Sequence, residues 1–299
     1  MADTSHTAGR PLPRRPLGRT GCDLTTFGLG GEGVLRTWDR TSEAVAVIHR
    51  ALDHGVNYCD TAPAYAASLD YYGAALGDRR DEVFLASKTH DRTRDGSLRL
   101  LDESLHRLRT DWLDLWQLHD LRTRDDLDRI FARGGALEAL LQARDEGRVR
   151  HLGITGHHDP EILLEAMRRF DFDTVLVALN AADVHRLSFL RTVLPEAARR
   201  QIGVIAMKVC AAGALLRLGG LRGLLGGGGL TMDEALGYVL SLEGVSTAVI
   251  GCRTPAEVDD NARIAGEFAP LAPESLRQLE ERVAHQAATC TCTCYKRPA

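Results

Sequence analysis

The chain has 299 residues, 37 of them basic and 41 acidic, for a formal net charge of −4. Hydrophobic residues make up 44% and charged residues 26%. These are globular proportions, and they exclude a disordered, collagen-like or coiled-coil chain. With no cationic excess, neither nucleic acid nor another polyanion is expected as a partner.

Residues 1–15 carry no apolar signal-like core and are expected to form a flexible N-terminus. No run approaches the ~18 uncharged apolar residues of a membrane span, so no membrane partner is expected. Cys22, Cys59, Cys210 and Cys252 lie scattered among apolar segments and read as reduced thiols, as in a cytoplasmic protein. Lysine occurs only at Lys88, Lys208 and Lys296, so each lysine in this arginine-rich chain is conspicuous. Only an amine among the basic side chains shifts its pKa readily.

From Phe27 onward, short apolar runs alternate with segments of helical spacing. Phe27 to Gly30 reads as a strand, and Thr41 as the N-cap of a helix with Ala44, Val47, Ile48, Ala51 and Leu52 on one face. Val56 to Cys59, Glu82 to Ser87 and Leu113 to Leu118 continue the strands, with Ser68 to Leu76 and Leu98 to Leu108 as helices between them. The second half repeats the scheme with strands at Val149 to Ile154, Thr174 to Leu179, Ile202 to Ala206 and Val245 to Ile250. Eight strand–helix units predict an α/β chain folded as a closed (β/α)8 TIM barrel over 16–288, a single domain. An open doubly wound sheet is the alternative, weakened by the lack of a strand–GxGxxG–helix element. Long loops are expected after the fourth strand (Asp120 to Gly135) and the seventh (Leu218 to Gly229). The glycine-rich second loop is a candidate lid. A C-terminal helix over Glu274 to Gln286 leads into a flexible Cys-containing tail, 289–299.

Barrel enzymes keep their sites where strands end and loops begin. Asp60 follows the second strand, Tyr65 lies in the same loop, Lys88 ends the third strand and His119 the fourth. A phenol has a pKa near ~10, and an adjacent ammonium stabilises its phenolate. Asp60 can keep Lys88 charged, and His119 can hydrogen-bond a substrate oxygen. The four make a proton donor aimed at a carbonyl. No side chain supplies a hydride, so a nicotinamide cofactor is implied. Gly251-Cys252-Arg253-Thr254-Pro255 leaves the eighth strand and enters a helix, with Glu257 at capping-box spacing from Thr254. A helix N-terminus with an arginine beside it is a phosphate anchor.

The motifs DTAPAY (60–65), ASK (86–88), LDLWQLH (113–119) and GCRTPAEVDDN (251–261) resemble those of the aldo-keto reductase superfamily. The resemblance runs from Pro16 to about Phe268 and implies an NAD(P)H-dependent oxidoreductase that reduces an aldehyde or ketone, with a sugar or other polar carbonyl as the small-molecule partner. It implies Tyr65 as the acid, Asp60 and Lys88 as the residues that tune it, and His119 as the group that orients the carbonyl. It implies cofactor contacts from Thr155, Asn180, Met207, Lys208, Gly251, Cys252, Arg253, Glu257 and Asn261. NADP(H) is the expected cofactor, with NAD(H) the alternative. The chain departs from the family at three points. Thr155-Gly156-His157-His158 stands where many members have Ser-Asn, Leu176 replaces a glutamine, and Met207 replaces an aromatic ring. Cys290, Cys292 and Cys294 lack the number and spacing of a cubane cluster, so no metal is expected. Three other functions fit some of the residues: a metal-dependent hydrolase using Asp60, His119, His157 and His158, a cofactor-sensing binding subunit, and a Schiff-base aldolase using Lys88.

Overall fold

The alternating apolar runs do become a ring of parallel strands. The computed structural model describes residues 11–216, 229–288 and 295–297. A short antiparallel hairpin, β1 (Arg14–Pro16) and β2 (Asp23–Thr25), precedes the ring, so the flexible N-terminus expected over 1–15 is corrected for Arg14 and Arg15. The ring consists of β3 (Phe27–Gly33), β4 (Tyr58–Asp60), β5 (Phe84–Thr89), β6 (Leu113–Leu118), β7 (Val149–Gly156), β8 (Thr174–Ala178), β9 (Gly203–Met207) and β10 (Val245–Cys252). Each strand pairs in parallel with the next, and β10 closes on β3, so the architecture is a (β/α)8 TIM barrel. Closure rules out the open doubly wound alternative.

Among the described residues the α-helices are α1 (Thr41–Asp53), α2 (Ser68–Ala75), α3 (Arg94–Leu108), α4 (Arg124–Phe131), α5 (Ala136–Asp145), α6 (Pro160–Arg169), α7 (Phe189–Arg199), α8 (Met232–Leu240), α9 (Pro255–Glu267), α10 (Pro273–Arg282) and α11 (Ala284–Ala288). Among the described residues, no helix is long and apolar enough to cross a membrane. The predicted face of α1 is the buried one, but Thr41 is its first helical residue and Arg40 takes the cap position. Thr41 therefore does not cap. The charged segment after β6 is not all loop, because Thr123 and Asp126 form a capping box that starts α4. Most of the glycine-rich segment after β9 lies outside the described residues, and the candidate lid with it.

Two apolar layers result. One lies between sheet and helices. The other fills the barrel, where Tyr58, Phe84, Leu115, Leu176 and Ile205 point inward and Leu17 and Leu24 of the hairpin plug the base. Leu176, the departure on the sixth strand, is thus a barrel-filling residue. Plugging one end leaves the strand C-terminal ends as the accessible mouth.

The C-terminal segment departs from expectation. Cys290, Cys292 and Cys294 lie outside the described residues, but Lys296 is fully buried. Its ammonium pairs with Asp183 and donates to the carbonyls of Arg186 (2.9 Å) and Leu187 (3.1 Å). Asp183 also accepts from Leu190 N at 2.8 Å and Ser188 Oγ at 2.7 Å, so it anchors the turn between β8 and α7. A buried carboxylate is costly without a counter-charge, and the tail lysine provides it. The flexible tail expected over 289–299 is therefore corrected for residues 295–297.

Lys296→Met leaves Asp183 as an uncompensated buried charge, so we expect a loss of about 3–5 kcal/mol. Urea unfolding should show a lower midpoint at unchanged slope, and adding Asp183→Asn should recover part of the loss. A wild-type midpoint in Lys296→Met would contradict this account.

Candidate active site

The four residues expected at the strand ends do converge. Asp60 is the last residue of β4, Lys88 lies near the end of β5, and His119 directly follows β6. The Lys88 ammonium donates to Asp60 Oδ2 at 2.5 Å and to the carbonyl of Thr61 at 2.9 Å. Both side chains are nearly sealed from solvent. Tyr65 lies over this pair, its ring centroid 4.6 Å from Lys88 Nζ, and His119 meets the phenol ring edge-on at 5.6 Å. Gly31 makes the room. A Cβ there would stand 2.3 Å from the Tyr65 ring, so only glycine allows the phenol to lie against β3.

Burial dominates the electrostatics. It works against the Lys88 charge, but Asp60 and Tyr65 together hold the ammonium above its ordinary range. Burial raises Asp60, with Lys88 opposing. Burial also raises Tyr65 above the usual phenol value, and Lys88 only partly offsets this. The sequence led us to expect a net lowering, and the sealed pocket reverses the sign. His119 is pushed down to about 2, by burial first and then by Lys88, so its ring is neutral. At neutral pH the site holds a protonated phenol, a cation and a neutral imidazole.

The expected cofactor residues form an arc along the same mouth. Thr155 and Asn180 are buried at the ends of β7 and β8. Thr155 Oγ1 accepts from Asp120 N at 2.8 Å. Asn180 Nδ2 donates to the carbonyl of Lys208 at 3.0 Å and to the Tyr295 hydroxyl at 3.1 Å. Met207 ends β9, and Lys208 follows with its ammonium 5.3 Å from the Tyr295 ring. The aromatic ring missing at Met207 is thus matched by one nearby, brought in by the C-terminal segment. No sequence pattern marked Tyr295.

At the far end, Gly251 packs so closely on Glu32 that a Cβ would fall 2.5 Å from that side chain. Cys252 is buried, and Asn261 donates to its sulfur at 3.4 Å, so both side chains secure the turn into α9. Burial pushes the Cys252 thiol up to about 12, which leaves it unreactive. Thr254 caps α9 by accepting from Glu257 N at 3.3 Å. The Glu257 carboxylate does not complete the reciprocal box. It accepts instead from Arg253 N at 2.7 Å and from Arg253 Nε at 2.9 Å.

The hydrolase ligand set does not assemble, because Asp60 is committed to Lys88 and His119 packs on Tyr65. A different trio comes together: Asp120, His157 and His158. Asp120 and Lys208 both adopt left-handed backbone, φ 56 and 55. Such strain in non-glycine residues concentrates at functional sites.

The model of the Aldo/keto reductase family matches residues 26–220. The chain belongs to the aldo/keto reductase family. It is an NAD(P)H-dependent oxidoreductase acting on carbonyl compounds. The L-galactose dehydrogenase of Arabidopsis thaliana is 26% identical over 89% of this chain and 92% of its own. An aldo-keto reductase of Bacillus halodurans in its holo form superposes with a TM-score of 0.77, at 24% identity over 91% of this chain and 96% of its own. The aldo-keto reductase of Klebsiella pneumoniae in complex with NADPH gives 0.72, also at 24% identity, covering 92% and 95%. The last two likenesses concern the fold.

Gly31→Ala tests how the reductase seats its phenol. The added methyl collides with the Tyr65 ring, so we expect turnover to fall at least about tenfold while cofactor affinity stays near wild type. Unchanged turnover would show that the ring has another resting place.

Proposed function

We propose that this reductase converts a small polar aldehyde or ketone, of the sugar class, to its alcohol in the cytoplasm, with NADPH preferred over NADH. Neither nucleic acid nor a membrane takes part. The observation that carries the reading is the sealed Lys88–Asp60 pair beneath the Tyr65 phenol. The polar-substrate reading draws on the L-galactose dehydrogenase relative. It is also supported by Trp38, an indole 65% exposed on the loop that follows β3 at the same mouth. A flat ring beside polar groups suits the faces of a sugar.

The reduced nicotinamide supplies the hydride when bound. Tyr65 donates its proton to the substrate oxygen. Lys88 stabilises the phenolate left behind, and Asp60 holds Lys88 charged and in place. Neutral His119 orients the carbonyl through its N–H. Burial of the pair keeps water away from the charges, which strengthens them.

The residues present fit the cofactor. Thr155 and Asn180 offer buried polar groups for the carboxamide, beside Met207 and Lys208. Gly251 packs against Glu32 where the turn leaves β10, and Arg253, Glu257 and the start of α9 would hold the adenosine end. Cys252 and Asn261 act there by fixing the turn.

A panel of sugar aldehydes, hydroxyketones and apolar ketones, assayed with each cofactor, tests the substrate class. Tyr65→Phe should lower turnover about 10²–10⁴-fold with cofactor binding retained. Reduction needs the phenol protonated, so the rate should hold through neutral pH and fall only as pH rises past a Tyr65 pKa above its ordinary value. Lys88→Met removes the group that lowers this pKa and should move that alkaline limb upward. A limb that stays in place, or a Phe variant with full turnover, would remove Tyr65 from the role.

The cofactor ratio depends on Arg253 and Glu257. The Arg253 side chain is 79% exposed, and exposed ion pairs contribute only about 0.2–1 kcal/mol. Charge-assisted bonds to a phosphate contribute roughly 1.5–3 kcal/mol, so the phosphate should displace Glu257. That corresponds to about a ten- to hundredfold preference for NADPH. Arg253→Ala should erase it and Glu257→Gln should raise it, read as the ratio of kcat/KM for the two cofactors. A wild-type preference for NADH would refute the assignment.

A further inference from the structure

We propose that Asp120, His157 and His158 form a binding site for one divalent transition-metal ion of the zinc class at the barrel mouth. The sequence led us to expect no metal, and the inference does not rest on the carbonyl-reducing function. Asp120 Oδ1 lies 3.3 Å from His157 Nδ1 and 3.3 Å from His158 Nε2. The three ligand atoms lie within 4.8 Å of one another.

These separations are long for hydrogen bonds, which run about 2.7–3.2 Å for N–H···O. They match the edge of a metal tetrahedron. With metal–ligand bonds of about 2.0–2.1 Å, adjacent tetrahedral ligands stand about 3.3–3.4 Å apart. Asp120 Oδ1 and His158 Nε2 are buried, and neither has a hydrogen-bond partner among the described residues. Buried polar atoms normally have one. Two imidazoles and a carboxylate form a common donor set for divalent transition metals, with a further position open to water.

The surroundings hold these donors in place. Arg122 binds the other carboxylate oxygen of Asp120 through Nη2 at 2.5 Å and Nε at 2.8 Å, which turns Oδ1 toward the rings. The loop is tied down by Asp120 N on Thr155 Oγ1 and Leu121 N on the Thr155 carbonyl, both 2.8 Å. The histidine rings lie 4.4 Å apart, Tyr295 meets His157 edge-on at 5.7 Å, and Arg297 N donates to the His158 carbonyl at 3.0 Å. Such outer contacts orient metal ligands. Arg122 and Lys208 oppose a cation. Against them stands the Asp120 carboxylate, together with two rings that burial keeps neutral, His157 at about 4. His119 is the residue before Asp120, so the ion would sit beside the catalytic imidazole.

The test is to strip tag-free protein with a chelator and titrate it with Zn²⁺ alone by calorimetry. We expect one ion per chain. Affinity should fall at least about tenfold in Asp120→Asn and in the His157→Gln/His158→Gln double variant, each checked for folding by circular dichroism. Co²⁺ substitution reads the donors in wild type should a variant not fold. Visible bands of a nitrogen–oxygen site support the proposal. An intense near-ultraviolet thiolate band would place the metal on cysteines and overturn it. So would the absence of binding, or variants that bind as tightly as wild type.

Discussion

The reductase depends on one buried ion pair, Lys88 with Asp60. Two charges sealed under the barrel mouth are expensive, and they persist because the contact is short and the Thr61 carbonyl accepts a further hydrogen bond from the ammonium. The pair sets what Tyr65 can do. Without Lys88 the phenolate would have no counter-charge in a pocket that already disfavours it. The same cation helps keep His119 neutral. In the proposed mechanism the acid, the orienting donor and the fixed charge thus meet around one buried contact, within walls whose burial acts on all three.

The barrel makes that contact possible by register. Asp60 pairs in the ladder with Ala86, two residues before Lys88, and Lys88 pairs with Gln117, two before His119. Parallel strands in neighbouring register bring residues distant in sequence to one rim. The hairpin plug closes the base with Leu17 and Leu24, so binding space is left at the opposite end. Gly31 shows how tight the arrangement is, because the phenol takes the volume that any side chain there would need.

The cofactor arc reveals competition within the protein. Glu257 occupies Arg253, and Asn180 spends both amide protons on the Lys208 carbonyl and the Tyr295 hydroxyl. A cofactor bound as proposed would replace these contacts rather than meet idle groups. The C-terminal segment belongs to this arc. Its buried Lys296 is held by Asp183, which also fixes the turn after β8 that carries Asn180. Lys88 and Lys208 stand at the mouth, and Lys296 anchors residues beside Tyr295, which meets Asn180 and Lys208 there.

Much was determined by the sequence alone. Alternation of apolar runs with helical spacing is a local property, and so the eight units and the barrel were legible. Asp60, Lys88 and His119 were legible because they stand at or just past strand ends, where position along the chain already implies the face, and Tyr65 because it shares the loop that Asp60 opens. The sign of the Tyr65 shift was not, since burial outweighs Lys88 only when the surrounding walls exist. The partner of Glu257 was not, because capping-box spacing allows two acceptor geometries and the folded turn selects one. Thr41 looked like a cap, but the helix starts one residue earlier than the pattern suggests and puts Arg40 there. Tyr295 and Lys296 read as tail residues, and His157 and His158 were grouped with Asp60 and His119 in the hydrolase alternative rather than with Asp120. Their contacts join segments far apart in sequence, Lys296 to Asp183 across 113 positions. No local pattern encodes such a meeting. Only the closed barrel, which brings its loops to one rim, decides it.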